Sequence, residues 1–578
     1  MDAAFAPALI AGIERLTAWA DLLDEINVFP VADGDTGRNL VVSLAPVRRF
    51  SLGRERTIRD LLVAARGNSG NIAARFFSGL LTADAVEDLA VAVRLGCDRA
   101  RLAVVDPKPG TILTVLDALS EALEEPPAAD AAAWRDRILK RLEEAVLSTT
   151  ELLPRLKEAG VVDAGALGIF LFMEGFFGSL AGKAAAAVPI TETFAGRLRP
   201  SPSFREEGET GCCIDTVLEM NGSDADADRR LSAIGSSVVV LRDGDTVKIH
   251  LHAPDGKKAR QELAAIGQVV RWAADDLDAQ VRAFRRPKIE PAVHVVTDAA
   301  GSVNRETAAE LDMSLLDSYI TVGETALPER HVDRGELFAA MRRGERVSTS
   351  QASLFERHEC YRSLLDRHSR VLYLCVGSVY TGNFAAATEW KRRNDPDGRF
   401  TIIDTGAASG RLGLLAVATA RFSRTAGDAG AVVRFAGDAA VRCREYVFLD
   451  RLQYLAAGGR LSKAGALAGD MLRMKPVISP LSDGARKVGV VRDRAGQLRF
   501  ALEKLGGARE RVGMIMLEYT DNAAWVTETA RSEIARRHPE AEILLQPMSL
   551  TAGAHMGPGT WAVAFLPGPD GILKESQG

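Results

Sequence analysis

The chain has 578 residues, 47% of them hydrophobic and 26% charged, and a formal net charge of −5 from 72 Lys and Arg against 77 Asp and Glu. At about 150 residues per domain this predicts roughly three or four domains of ordinary globular composition, and it excludes a disordered chain, a collagen-like repeat and a coiled-coil rod. With no global basic field, nucleic acid is excluded as the main partner.

No apolar run approaches the ~20 residues of a bilayer span; the best, Ile169 to Met173, ends at Glu174. The N-terminus, MDAAFAPALIAGIERL, lacks the basic start of a secretion signal, so a cytoplasmic protein is expected. Six cysteines in so long a chain do not make a disulfide framework.

In chain order, Leu9, Ile13, Leu16, Ala20 and Leu23 recur at helical spacing and predict one helix. Apolar periodicity continues near 58–66, 71–81, 86–104, 111–124, 132–148 and 166–180. The stretch from Gly182 to Pro202, rich in Ala, Pro and Thr, predicts a linker. SSVVVLRDG followed by TVKIHLHA predicts a β-hairpin in a small mixed unit. RRPKIEP at 285–291 predicts a second linker. From Ala292 onward AVHVVTD, VLYLCVGS, FTIIDTG, YVFLD, VGMIMLEY, AEILLQP and TWAVAFL alternate with helical patterns. That is a βαβ pattern, with ligands expected beyond the carboxyl ends of the strands. The expected organisation is multidomain: an all-α module over 1–185, a small α/β module over 203–284 and a large α/β module over 291–570.

INVFPVADGDTGRN sets Asp33 and Asp35 two apart in a glycine-rich loop. Such a loop is either a solvated turn or a cation site, because carboxylates this close repel unless a cation lies between them, and oxygen ligands suit Mg²⁺. RGNSGNIAARFF, KPGTILTVLDAL and VVDAGALGIFLF each lead from glycine into a helix, where free backbone N–H groups can meet an anion. The chain has no GxxxxGK[ST], which excludes a P-loop enzyme.

Residues 22–40, 64–79, 107–116 and 151–168 resemble the ATP-binding domain of the dihydroxyacetone kinase family. They resemble still more the catalytic subunits of bacterial fatty acid kinases, through NVFPVADGDTG, ARGNSG, PGTILTV and ELLPRLKEAGVVDAGALG. The resemblance implies a helical barrel with Mg–ATP in a cup at one end. It implies Mg²⁺ on Asp33 and Asp35 with Asn27 as a further ligand, and phosphates along Asn68, Ser69 and Gly70. Thr36, Thr111 and Asp163 follow as further ATP contacts.

In TVKIHLHA, His250 and His252 share one face of a strand. They are either ordinary strand residues or two ligands of a zinc ion that needs three or four. GCCID resembles the cysteine motif of the fatty acid kinase middle domain, and that likeness implies Cys213, His250 and His252 as zinc ligands.

Four segments stand out in the third module: VSTSQAS, GSVYTGNF, GGRLSKA with Arg460, and GAHMGPGTW with His555. Hydroxyls, a guanidinium and an imidazole around one crevice would bind a carboxylate, whereas singly they read as helix caps and a solvated arginine. Together with VVTDAAGSV, IDTGAASG and LQYLAAGGRLSKAGAL they resemble the DegV family of fatty-acid-binding proteins over about 293 to 567. The resemblance implies a closed apolar tunnel whose acyl carboxylate meets Ser348, Ser378 and His555, with Thr349 next in line and Arg460 nearby. Ser348 stands where the family usually has Thr, and Ala299 and Ala300 replace the usual Ser-Thr. His555 is expected in a glycine-rich loop after a strand.

The combined expectation is ATP-dependent phosphorylation of a bound fatty acid to acyl phosphate, with Asp33, Asp35, Ser348, Ser378 and His555 as catalytic residues. The alternatives are a lipid carrier or sensor with a regulatory kinase domain, and a dihydroxyacetone-type kinase, although nothing resembles the histidine-bearing substrate domain of the latter. A homo-oligomer is expected. So are acyltransferases that take acyl phosphate, with transient presence at a membrane surface.

Overall fold

In a computed structural model, described for residues 4–125, 130–182, 189–204, 211–220, 227–278, 281, 291–451, 453–457, 474–508 and 511–568, the chain divides into two compact units, Met1–Arg286 and Pro287–Gly578. Among the described residues no helix is long and apolar enough to cross a membrane.

The first unit begins with ten helices: α1 (Phe5–Ala18), α2 (Ala20–Glu25), α3 (Thr36–Leu44), α4 (Arg54–Ala64), α5 (Gly67–Leu80), α6 (Leu89–Ala103), α7 (Ile112–Ala122), α8 (Ala131–Leu152), α9 (Pro154–Ala159) and α10 (Ala164–Leu180). The single N-terminal helix read from periodicity is two, because Trp19 leaves helical geometry at φ −113°, ψ 5°. α10 is apolar on nearly every side, the pattern of a helix buried all round. Glu174, which interrupts its apolar run, is neutralised by Arg15 of α1 at 2.8 Å.

The stretch expected to be a linker is packed in part. Among its described residues, α11 (Ile190–Thr193) buries Ile190, and the Phe194 ring meets Phe170 edge-on at 5.3 Å.

The middle segment is an antiparallel sheet in the order β2-β3-β1-β4, built from β1 (Cys212–Glu219), β2 (Ser236–Asp243), β3 (Thr246–Ala253) and β4 (Gln268–Asp276), with α12 (Ala227–Ile234) and α13 (Gly256–Ala264). The expected hairpin is β2–β3. Period-two alternation sorts its residues. Ile214, Leu218, Val240, Ile249 and Leu251 form a core with Leu231, Ala259 and Leu263 of α12 and α13. The other face turns to the ten-helix part: Val239 and Leu241 belong to the helical core, and Val239 bridges Val104. The first two modules read from sequence are therefore one compact unit.

The second unit holds a parallel sheet in the order β11-β10-β5-β6, from β5 (His294–Asp298), β6 (Ser314–Leu316), β10 (Val371–Cys375) and β11 (Phe400–Asp404). β5 and β10 are buried along their whole length, as central parallel strands are. A three-stranded antiparallel sheet joins β7 (Ser318–Val322), β8 (Thr325–Pro328) and β9 (Val347–Gln351). A six-stranded sheet runs β14-β13-β12-β17-β15-β16, from β12 (Arg444–Phe448), β13 (Lys475–Leu481), β14 (Gly484–Val491), β15 (Val512–Tyr519), β16 (Glu542–Pro547) and β17 (Trp561–Pro567). Only β15 and β16 pair in parallel there, so the purely parallel expectation holds for the first sheet alone. The apolar helix Ser409–Thr425 is buried against both sheets, with Leu412 to Ala420 in one core with Val295, Met516 and Ala564.

Candidate active site

The acidic loop leads into α3, with Asp35 at the N-cap. Asp24, a residue the motif reading did not single out, accepts from Gly37 N at 2.7 Å and Arg38 N at 3.1 Å and so satisfies the first N–H groups of α3. Asn27 donates to Asp33 Oδ1, and Thr36 Oγ1 donates to Asn27 Oδ1 at 2.9 Å. Burial, then the neighbouring Asp35, pushes the Asp33 carboxyl well above the usual range, which is how a buried acidic pair behaves without a cation. The donor set of hard oxygens fits Mg²⁺.

Asn27, Asp33, Asp35, Thr36, Asn68 and Ser69 line one small pocket. Next to it, and sharing Phe29, Pro30, Asn68 and Ser69, lies a cavity of about 360 Å³. Its polar wall includes Thr111 and Asp163 and its apolar wall Val104, Val105, Val238 and Val239. The predicted residues therefore converge, with one exception. Gly70 lines neither space and faces α3, where a Cβ would collide with Ser43 Oγ. Gly67, at φ +61°, likewise leaves no room for a Cβ beside the Asn39 amide. Both glycines seat α5 on α3 and leave Asn68 and Ser69 to face the cavity.

Cys213, His250 and His252 are buried, with ligand atoms all within 4.8 Å of one another. The antiparallel register pairs Cys213 with His252 and Asp215 with His250. His250 Nδ1 meets Asp215 Oδ1 at 3.3 Å, and its buried Nε2 has no hydrogen-bond partner. Both histidines line the same small pocket as Asp33 and Asp35. Burial, then Asp35 and Asp215, pushes the Cys213 thiol up; a bound cation reverses that balance.

In the second unit His555 Nε2 lies 3.1 Å from Thr349 Oγ1. His555 is in the last turn of the short helix Leu550–Met556, not in the expected loop. Ser348 is exposed and pairs with Thr321 in the ladder, while Thr349 pairs with Ile320. Adjacent strand residues face opposite ways, so the structure brings Thr349 to His555 and turns Ser348 away. Ser378 is exposed beyond β10, its N–H on Asp404 Oδ1 at 3.0 Å. Arg460 lies outside the described residues. At the carboxyl end of β5, buried Asp298 binds Arg357 (3.0 Å), Tyr373 (2.9 Å), Asn383 (2.8 Å) and Val376 N (2.8 Å). This network fixes the loop after β10, which carries Ser378.

Family comparison matches residues 30–178 to the DAK2 domain, 209–284 to the FakA-like middle domain of fatty acid kinase, and 292–568 to the DegV family. The chain joins these three domains in one polypeptide. The resemblance read from the motifs is thereby borne out. Protein YloV of Bacillus subtilis is 29% identical over 354 residues, covering 56% of this chain and 64% of its own length. An uncharacterized Staphylococcus saprophyticus protein is 26% identical over 398 residues, covering 62% and 69%. The chain thus spans somewhat under two thirds of the Bacillus relative. Among solved structures, Bacillus subtilis DegV, a fatty acid binding protein, is 18% identical with a TM-score of 0.43, covering 48% of this chain and 100% of its own. Streptococcus pneumoniae fatty acid kinase B3 protein loaded with linoleic acid is 15% identical with a TM-score of 0.42, covering 48% and 100%.

Within the DAK2 domain, Asp163 caps α10 by accepting from Ala166 N at 2.8 Å. Burial lifts its carboxyl from 3.8 to about 7, against the pull of the Ala166, Gly165 and Ile112 N–H groups. The unfolded carboxyl ionises near its ordinary value while the folded one keeps its proton, so stability falls as pH rises across that window. Asp163→Asn keeps the cap acceptor and removes the penalty. The variant is expected to match wild type near pH 4 and to exceed it above pH 7, by on the order of 4 kcal/mol, in denaturant melts followed by circular dichroism. An equal gain at both pH values would refute the assignment.

Sequence reasoning passed over Asp215, Lys248 and Lys108. Lys108 lines the large cavity beside Asp106 at 2.7 Å. A signal existed for the first two: Cys213 and Asp215, and Lys248, His250 and His252, alternate along their strands and so share one face.

Proposed function

We propose that the chain is a fatty acid kinase in one polypeptide: the DAK2 and middle domains bind Mg–ATP, and the DegV domain binds the acyl substrate. The reading rests above all on Asp33, Asp35, Asn68 and Ser69 lining one pocket that adjoins a cavity of about 360 Å³. Asp33, Asp35 and Asn27 would hold Mg²⁺, which neutralises phosphate charge when bound. Asn68 and Ser69, at the start of α5, present N–H groups to the phosphates. The apolar wall of Val104, Val105, Val238 and Val239 suits a base. A helical barrel with ATP in its cup is part of this reading.

In the DegV domain, Thr349 and His555 would hold the acyl carboxylate, which inside an apolar tunnel must be hydrogen-bonded to stay. A carboxylate is already ionised at neutral pH and needs no general base. Its oxygen forms a bond to the γ-phosphorus as the bond to the β-bridging oxygen breaks, giving acyl phosphate and ADP. The protein contributes position and charge. The test is hydroxylamine trapping of acyl phosphate from purified protein, ATP, Mg²⁺ and a long-chain fatty acid. ADP-linked acyl hydroxamate is expected; fatty acid bound without turnover would favour a carrier or sensor.

Cys213, His250 and His252 would hold zinc. The donor set fits, and the Asp215–His250 contact fixes the imidazole as carboxylates do beside metal-bound histidines. Metal analysis is expected to find about one zinc per chain, strongly reduced by His250→Ala. Zinc-free protein from zinc-supplemented cells would remove the site.

A further inference from the structure

The turn that carries Asn68 and Ser69 lies between two helix ends, and each end meets an opposite charge from the middle domain. α4 finishes at Ala64 and α5 begins at Gly67. The last carbonyls of a helix lack intrahelical partners and carry partial negative charge, and the first N–H groups of the next carry partial positive charge. Lys248 Nζ donates to the carbonyls of Leu62 (3.4 Å), Val63 (3.2 Å) and Ala65. Asp215 Oδ2 accepts from Gly67 N at 3.4 Å. Both side chains come from the face of β1 and β3 that bears Cys213, His250 and His252, and the second oxygen of Asp215 meets His250 Nδ1. One carboxylate thus touches both a metal-triad histidine and the phosphate turn.

We propose that Asp215 and Lys248 form a positioning clamp that ties the phosphate turn of the DAK2 domain to the metal triad, so that metal occupancy sets nucleotide affinity. The proposal rests on the nucleotide reading above and goes beyond it. The middle domain is then part of the ATP site and not a connector. The path is short: an ion on His250 fixes the imidazole, the imidazole fixes Asp215, and Asp215 with Lys248 fixes Gly67 and the Asn68–Ser69 peptide that follows.

The experiment uses the full chain, with ATP dissociation constants from isothermal titration in Mg²⁺, zinc content per chain, and KM and kcat for ATP. Lys248→Met is expected to keep its zinc and to weaken ATP binding about tenfold, the scale of a buried charge at a helix end, raising KM more than it lowers kcat. Lys248→Arg, which keeps the charge, is expected to recover most of the loss. Asp215→Asn is expected to weaken both ATP and zinc, the latter by about 10–100-fold. Chelating zinc from wild type is expected to weaken ATP by about as much as Lys248→Met does, and to add little in that variant. Wild type that binds ATP equally well with and without zinc would overturn the clamp and leave the nucleotide reading standing. So would a Lys248→Met protein that melts lower but binds ATP as wild type does. Zinc-loaded wild type that binds no ATP would overturn both.

Discussion

A chain in which Asp33 and Asp35 are both alanine is expected to form no acyl phosphate while still binding fatty acid. The two carboxylates sit in one pocket with Asn27, Asn68 and Ser69. Burial and mutual repulsion hold Asp33 protonated above its ordinary range until a cation arrives. Removing both takes away the ion and the several kcal/mol of charge neutralisation it supplies, a loss of at least about a thousandfold in turnover. Fatty acid binding belongs to the other compact unit and is expected to survive, read by native mass spectrometry of the same sample. Undiminished hydroxamate formation in the double variant would end the magnesium assignment.

The second large effect is expected at His555. Its imidazole touches Thr349 Oγ1, and a charge-assisted hydrogen bond to a ligand carboxylate contributes ~1.5–3 kcal/mol. His555→Ala is expected to lose most kinase activity with ATP affinity unchanged, and Thr349→Val to lose a smaller share. Ser348→Ala is expected to behave as wild type, because Ser348 is exposed on the opposite side of β9. The contrast between neighbours separates a carboxylate clamp from general damage to the strand. If Ser348→Ala were as harmful as Thr349→Val, the register would not describe the working site.

That pair also marks where the sequence stops being readable. The helices of the first unit carry strong 3.6-residue periodicity, and six of the ten lie close to the stretches expected from it. The buried strands β5, β10, β15 and β17 show as apolar runs for the same reason. VSTSQAS carries no such pattern, since a hydroxyl-rich strand in a small antiparallel sheet buries little. Which of Ser348 and Thr349 meets His555 depends on pairing with β7, a contact distant in sequence. The metal triad was half legible: alternation gave His250 and His252, and only the β1–β3 register supplies the cysteine and its neighbouring carboxylate. Gly70 misled because a glycine in a phosphate-like motif can serve helix packing instead.

Val239 and Leu241 finish the apolar centre of the DAK2 domain from outside it. Translation reaches them only after every one of its ten helices has left the ribosome. At about 5–20 residues per second the nascent helical half waits for several seconds with the socket for β2 uncovered. A protein cut after Phe204 would keep that socket open for good, with Val104 facing water in place of Val239. The sheet is therefore the closing piece of its neighbour's core, and the two domains are constrained to fold, and to evolve, as a pair.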